Sequence, residues 1–268
     1  MGFLLLLMCG LACSLTATGQ PQTGQPESKA AQQSTAEARP VVVELFTSEG
    51  CSSCPPADLF LQKLDNYQPI EGAQLIVLSE HVTYWDHDGW KDPNSSVDLT
   101  YRQTSYEGAL GKQEPFTPQI IIDGDREVTL QNLSRVEDVL KQARDETKLP
   151  VRLSGVTVAA ATPALLRAHV DTGENSTKHN ADVYLAVALN HVESQVLKGE
   201  NGGRHLVHVA VVQKIIKLGK LSKGKSFSED VQVKLTPVED PKNLRVIAFV
   251  QEPGPGKILG AALQKMAN

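Results

Sequence analysis

The 268-residue chain has no long hydrophobic run and no excess of basic residues. Its longest apolar stretch, Phe3–Leu15, covers about 13 residues, which is too short to span a bilayer comfortably. The chain has 26 lysine and arginine residues and 31 acidic residues. The resulting net charge of −5 excludes nonspecific electrostatic binding to nucleic acid. A phosphate-binding loop, a dinucleotide-binding fingerprint and an internal repeat are also missing. We therefore expect neither a multi-span membrane protein nor a nucleic-acid partner.

The composition is that of a soluble globular protein. Hydrophobic residues make up 41% of the chain and charged residues 21%, which also excludes a disordered chain and a coiled coil. The length suits one large domain or two ordinary ones. A chain of this size can bury a sufficient core without relying on disulfide staples.

The N-terminal segment predicts export. Its first 26 residues carry no charged side chain, and the apolar stretch suits a secretory signal peptide, although the usual preceding lysine or arginine is missing. We expect a signal peptide over residues 1–19, a flexible linker over 20–39, and a periplasmic or secreted protein. A lipid anchor on Cys13 and an uncleaved N-terminal anchor are the alternatives, and they are the only membrane association that we expect.

Two parts of the remaining chain differ in periodicity. Between residues 40 and 150, β-branched runs alternate with amphipathic stretches in the order strand, helix, strand, helix, strand, strand, helix, which predicts an α/β layer. From residue 151 to 268 most runs are of the strand type and polar loops separate them, which predicts a smaller β-sandwich-like domain. Val209–Leu218 is ambiguous between strand and helix.

A Cys-x-x-Cys pair lies where the first predicted strand turns into the first predicted helix. Cys51 stands at the helix start, where unpaired N–H groups and the helix dipole stabilise a thiolate, and Cys54 follows one turn later. Between them, Ser52 and Ser53 are candidate hydrogen-bond donors to sulfur. One interpretation is therefore thiol–disulfide exchange, in which Cys51 attacks and Cys54 resolves.

Two other interpretations of the cysteine pair stay open. The first is an inert disulfide that staples the turn. The second is a metal site, for which zinc is disfavoured because export leaves only two cysteines. Copper held by Cys51, Cys54 and His81 is the metal alternative. Apart from that alternative, we expect no metal or cofactor.

The segment from His81 to Asp92 crowds histidines, aspartates and both tryptophans of the chain into twelve positions. It follows the second predicted strand, at the edge where α/β sheets place ligands. It therefore predicts a wall of the site, in which Trp85 and Trp90 supply apolar contact and His81 or Asp86 serves as a proton relay. A well-packed loop without such a role is the alternative.

The order of the predicted elements, with Cys-x-x-Cys before the first helix and Thr117-Pro118 before the third strand, resembles the thioredoxin fold. The run from Val43 to Asp58 is similar to the signature of the DUF1223 family of thioredoxin-like secreted proteins. His81-Val82-Thr83-Tyr84-Trp85-Asp86 and Asn201-Gly202-Gly203-Arg204 are similar to further segments of that family. The resemblance extends over roughly residues 40–265.

This resemblance implies a fold and an arrangement of the site. It implies a thioredoxin-like α/β domain over residues 40–150, followed by the smaller β-rich domain over 151–268. It also implies that Thr117 and Pro118 form a cis bond facing the cysteines, where Pro118 shapes a groove for an extended partner. The biochemical role of the family is undefined, so the resemblance supports fold and export more than activity.

Together these features predict an exported thiol–disulfide oxidoreductase that acts on a protein or on a small thiol or disulfide. The alternative is a copper-binding or partner-docking module with a static Cys51–Cys54 disulfide. Histidines of the second half are expected to be surface or packing residues. Among them, His205 and His208 are three positions apart, which places them on opposite faces of a strand.

Overall fold

The computed structural model describes residues 38–87, 89–159, 163–235 and 240–266. The predicted signal peptide, Cys13 and most of the predicted linker lie outside these residues, so export and lipid anchoring stay predictions. Within the described ranges the chain forms three α-helices, one short 3-10 helix and eleven strands. No helix in this part of the chain is both long enough and apolar enough to cross a membrane.

The first half alternates strands with helices. Its elements are β1 (Arg39–Thr47), α1 (Pro55–Tyr67), β2 (Ala73–His81), α2 (Val97–Leu110), β3 (Gln119–Ile122), β4 (Arg126–Val128) and α3 (Leu133–Asp145). The second half is built of strands and one 3-10 turn. Its elements are β5 (Val151–Ala159), β6 (Leu165–Thr172), β7 (Ala181–Gln195), β8 (His205–Leu221), β9 (Ser228–Lys234), the 3-10 helix Pro241–Asn243, β10 (Leu244–Gln251) and β11 (Ile258–Lys265).

Local sequence explains the helix starts. Two prolines open α1, in positions where no backbone N–H is needed. In α3 the side chain of Asn132 accepts the N–H of Arg135 at 3.0 Å, so Asn132 caps this helix, which begins at Leu133.

Strands from both halves of the chain form one mixed sheet. Its order is β11-β10-β7-β8-β2-β1-β3-β4, and β5, β6 and β9 form a separate three-stranded sheet. β1 runs parallel to β2 and antiparallel to β3. β8 lies beside β2 in parallel, where Ser79 pairs with Val211.

The predicted fold class, an α/β thioredoxin-like domain followed by a smaller β-sandwich-like domain, is therefore wrong. The described chain is mostly β, and its large mixed sheet does not stop at residue 150. The reason lies in β8, a 17-residue strand that covers the ambiguous Val209–Leu218 run and has a buried centre typical of an interior strand. Its neighbour β2 is far away in sequence, and local periodicity does not report such a pairing.

The side chains of β1 alternate between two cores. Val41, Val43 and Leu45 face a core that includes buried residues of α1 and α3. Val42 faces the opposite core, to which α2 contributes Leu99. Helices thus cover both faces of β1, and the strand is buried on each side.

The three-stranded sheet forms a sandwich with the second half of the large sheet. Inward-facing residues of β6 and β9 share a core with those of β7 and β10. These residues are Leu166, Ala168, Val170, Val231, Val233, Val183, Leu185, Val187, Val246, Ala248 and Val250. The β-rich character expected for this region is observed, although its strands also extend the sheet of the first half.

A buried ion pair ties α1 to the second half. The guanidinium of Arg245 donates to both carboxylate oxygens of Asp65, at 2.9 and 2.8 Å, and Lys265 adds a contact at 3.2 Å. Burial raises the pKa of Asp65, but the attraction of Arg245 outweighs it and the net pKa is lowered. Asp65 therefore stays ionised, and Arg245 depends on it for charge balance.

Replacing Asp65 with asparagine removes this balance. We expect Asp65→Asn to lower the free energy of unfolding by about 3 kcal/mol, because a buried guanidinium loses its counter-ion. Urea denaturation measures the change. The matched control is Asp145→Asn, whose carboxylate pairs with Arg144 at the surface and should have little effect. Equal effects of the two substitutions would contradict the expected cost of leaving Arg245 buried without its counter-ion.

Candidate functional site

The two segments singled out by the sequence leave the same edge of the large sheet. β1 and β2 are parallel, and their last residues, Thr47 and His81, are paired. The cysteine turn follows β1, and the aromatic and acidic segment follows β2. Their adjacency is therefore a direct consequence of the parallel pairing, at the edge where α/β sheets place ligands.

The cysteines form a disulfide that closes the turn before α1. Cys51 and Cys54 are bonded, and Cys54 is the residue at which α1 starts, where its backbone carbonyl accepts the N–H of Asp58 at 3.1 Å. Both cysteines are fully buried, whereas Ser52 and Ser53 are exposed. The hydroxyl of Ser53 lies 3.3 Å from Cys51 Sγ. Of the two serines, Ser53 is thus the one whose side chain contacts sulfur.

Trp85 links the Thr117–Pro118 bond to the cysteine turn. The bond is cis, as expected, and Trp85 Nε1 donates to Thr117 Oγ1 at 2.7 Å. On its other side Trp85 lies against Gly50, where an added Cβ would come within 2.9 Å of the Trp85 Cβ. Ser53, Thr117 and Pro118 line a common depression of about 410 Å³. Of the residues predicted to form the site, Ser53, Thr117 and Pro118 are therefore brought together here, whereas Ser52, Trp85, Trp90, Asp86 and the buried His81 do not line this depression. The groove itself stays a prediction.

A buried carboxylate, Glu49, lies two residues before Cys51. It accepts hydrogen bonds from Trp90 Nε1 at 2.8 Å and from Ser194 Oγ at 3.0 Å. Its own N–H donates to Asp92 Oδ2 at 2.9 Å. Burial, together with repulsion by the Asp92 carboxylate, raises the pKa of Glu49. Trp90 therefore holds this carboxylate, while its expected role in a wall of the site stays a prediction.

His81 and Asp92 form a buried ion pair at the end of β2. His81 Nδ1 lies 2.7 Å from Asp92 Oδ2, and both residues are buried. Burial lowers the pKa of His81, but the charge and hydrogen bond of Asp92 outweigh it, so the net pKa is raised. For Asp92 burial acts in the opposite direction and raises the pKa, but the charge and hydrogen bond of His81 outweigh it, so the net pKa of Asp92 is lowered. Asp86 accepts the N–H of Asp92 at 3.2 Å and the hydroxyl of Ser95 at 2.8 Å, so it shapes the loop that holds Asp92.

His208, on β8, reaches the same cluster. It is 2% exposed, and its ring centroid lies 4.7 Å from that of His81. Its ring nitrogens lie 3.7 Å from Asp58 Oδ1 and 3.7 Å from Glu49 Oε1, and neither has a hydrogen-bond partner in the described structure. The sequence predicted only a surface or packing role for His208, and it did not predict that His208 lies in this cluster. No local pattern could have found it, because the pairing of β8 with β2 places it there.

A loop of the second half also contacts the cysteine turn. Asn201 lies in the loop that joins β7 to β8 and is fully buried. Its side-chain amide donates to the carbonyl oxygens of Glu49 and Cys51, each at 2.9 Å. The neighbouring Glu200 accepts the N–H of Ser52 at 3.1 Å. The only sequence signal for this contact was the similarity of Asn201-Gly202-Gly203-Arg204 to a family segment.

The copper alternative receives no geometric support. His81 Nδ1 is engaged by Asp92, and Cys51 and Cys54 are bonded to each other. In the ranges that the structure describes, no group of three or more histidine, cysteine, aspartate or glutamate residues is placed to hold a metal ion. A copper site of Cys51, Cys54 and His81 thus stays a prediction.

The sequence profile of DUF1223, described as a protein of unknown function, matches residues 42–251. The chain belongs to the DUF1223 family. This membership confirms the family resemblance, whereas the thioredoxin-like fold attached to it is corrected by the mixed sheet and secretion stays a prediction. The family description assigns no chemistry, so activity has to be argued from the site.

Similarity to solved structures agrees with this fold. The chain is similar to the crystal structure of a protein from Agrobacterium tumefaciens, a structural-genomics target, with 27% identity and a TM-score of 0.61 over 85% of this chain and 94% of that chain. The sporulation control protein Spo0M from Bacillus subtilis matches with 12% identity and a TM-score of 0.26 over 45% of this chain and 48% of that chain, which is too low to bear on the fold. No curated protein matches the sequence.

The charge state of His81 tests the buried pair. We expect Asp92→Asn to lower the pKa of His81, because burial then outweighs the remaining attraction. In the wild type, His81 stabilises the fold below pH 6.5, its ordinary pKa, and that contribution is lost as the pH rises through the higher folded pKa. Histidine NMR titration measures the shift. Asp98→Asn, at the exposed start of α2, is the control, and an unchanged His81 pKa in Asp92→Asn would contradict the pairing.

Proposed function

We propose that this DUF1223 protein is an exported thiol–disulfide oxidoreductase whose reacting pair is Cys51 and Cys54. The observation that carries the proposal is the position of the disulfide. It closes the turn at the start of α1, next to a buried cluster of ionisable groups. The helix N-terminus stabilises a thiolate, and the cluster supplies groups that exchange protons.

The exchange has two steps that balance. A partner thiolate attacks Cys51 Sγ, the Cys51–Cys54 bond breaks, and its electron pair goes to Cys54 Sγ, which takes a proton. A second partner thiolate then attacks the partner sulfur of the mixed disulfide and releases Cys51 as a thiolate, which takes a second proton. The partner is oxidised by two electrons and the protein disulfide is reduced, and the reverse sequence oxidises Cys51 and Cys54. The reduction potential decides the direction.

Proton transfer is the task that we assign to the buried cluster. Reduction of the disulfide to two thiols consumes two protons. The raised pKa of His81, which Asp92 produces against the effect of burial, favours a proton on this imidazole. In the described structure His81 Nε2 has no hydrogen-bond partner, and its ring contacts that of His208, whose nitrogens lie 3.7 Å from the carboxylates of Glu49 and Asp58 without hydrogen-bonding them. These imidazoles are therefore suited to deliver protons and take them back.

The depression beside the pair supports a polypeptide or small disulfide as partner. It is lined by Ser53 and Pro118 together with the apolar side chains of Phe116 and Leu130. Trp85 fixes one side of it through Thr117. A partner cysteine that lies in this depression reaches the same turn that carries Cys51.

The reduction potential is the first test of the proposal. We expect glutathione equilibration to give a value between about −270 and −120 mV, the range of catalytic pairs. With Cys54→Ser, a mixed disulfide through Cys51 should accumulate. Cys51→Ser should abolish it, and Ser52→Ala serves as the control that retains both cysteines.

The alternative is a partner-docking module with a static disulfide. Complete burial of both cysteines favours it, because a staple needs no access to solvent. A potential below about −300 mV, together with no trapped partner, would support this alternative and contradict the exchange.

A further inference from the structure

The loop between β7 and β8, residues 196–204, closes on itself before it touches the cysteine turn. Val196 N donates to Arg204 O at 3.0 Å, and Gly203 N donates to Val196 O at 2.8 Å. Gly199 and Gly203 have φ values of 77° and 84°, the left-handed region that favours glycine. These bonds give the loop a defined shape of its own, so it presents the Asn201 side chain in a fixed position.

Asn201 is joined to the turn by two hydrogen bonds from one amide group. Its Nδ2 donates to the carbonyls of Glu49 and Cys51, which lie on either side of Gly50. Asn201 is completely buried, and its Oδ1 has no hydrogen-bond partner in the described structure. Burying an unpaired amide oxygen is costly. The two hydrogen bonds from Nδ2 to the turn offset part of that cost, so the buried position of Asn201 depends on them.

We infer that Asn201 is the positioning residue that holds the cysteine turn closed, and that its release controls access to the Cys51–Cys54 disulfide. The inference rests on the proposed exchange at this pair. Attack on a disulfide requires a thiolate to reach sulfur, and both cysteines are fully buried. Exchange then has to follow a local opening of the structure. The contacts of Asn201 with Cys51 and of Glu200 with Ser52 are broken when the loop and the turn separate.

The contacts suggest an order of importance. Asn201 is buried, and its two bonds are shielded from water. Glu200 is exposed, so water can replace its contact with Ser52. Asn201 should therefore dominate the opening equilibrium and Glu200 should contribute less.

The experiment measures the rate at which a phosphine reductant opens the disulfide in the folded protein. We expect Asn201→Ala to raise the second-order rate constant about tenfold, because the open state becomes more populated. Glu200→Ala should raise it about threefold. The matched control is Asn243→Ala, which removes an asparagine that bonds to the backbone of His191 away from the cysteines, and it should stay within about twofold of the wild type.

Urea separates local opening from global unfolding. If Asn201 acts as proposed, the rate constant should change little at low urea, because local opening exposes little surface. A steep urea dependence would mean that Asn201→Ala merely unfolds the protein, and it would overturn the inference. So would a folded Asn201→Ala variant with the rate constant of Asn243→Ala. If Asn201→Ala does not fold, the same criteria apply to Glu200→Ala.

The potential, measured on the same samples, keeps the two proposals apart. A potential in the catalytic range with no acceleration in Asn201→Ala would reject the positioning role and leave the exchange in place. A potential below the catalytic range with clear acceleration would reject the exchange, and Asn201 would then shield a static disulfide rather than position a reacting pair.

Discussion

β8 lies beside β2 inside the large sheet, and through this contact the two halves of the chain share one framework. Much of the site depends on it. β2 ends at His81, β8 carries His208, and the loop that leads into β8 carries Asn201. If β8 belonged to a separate sheet, the turn of Cys51 would lose its contacts from the second half. The site is thus a product of long-range pairing, although its cysteines are close in sequence.

Charge burial is the second constraint on the site. Taking an ion out of water costs several kcal/mol even in real proteins, and pairing recovers that cost only when donors and acceptors are well placed. Beneath the cysteine turn, His81 balances Asp92, while Glu49 relies on Trp90 and Ser194. Buried ion pairs are weak evidence for stability, and clusters of shifted pKa values favour functional sites.

The sequence was informative where the signal is local. The turn of Cys51 and Cys54 between the first strand and the first helix, and the segment after β2, both follow from neighbouring residues, and each is where the pattern placed it. Long-range features were not accessible in this way. β11 carries no distinct local pattern, and β8 was ambiguous because periodicity alone does not distinguish a short apolar run in a strand from one in a buried helix. His208 and Asn201 were missed as site residues for the same reason, since only tertiary pairing gives them neighbours.

The surroundings of the disulfide favour exchange over a purely structural role. An inert disulfide neither takes up nor releases protons, so it gains nothing from ionisable groups beneath it. An apolar environment would serve a staple better, because it avoids the cost of desolvating charges. Here two imidazoles and three carboxylates are buried and in mutual contact where β1, β2, β8 and α1 meet, namely His81, His208, Glu49, Asp58 and Asp92. Reduction of a disulfide to two thiols takes up two protons, and a buried cluster of ionisable groups is a source of them that does not depend on solvent.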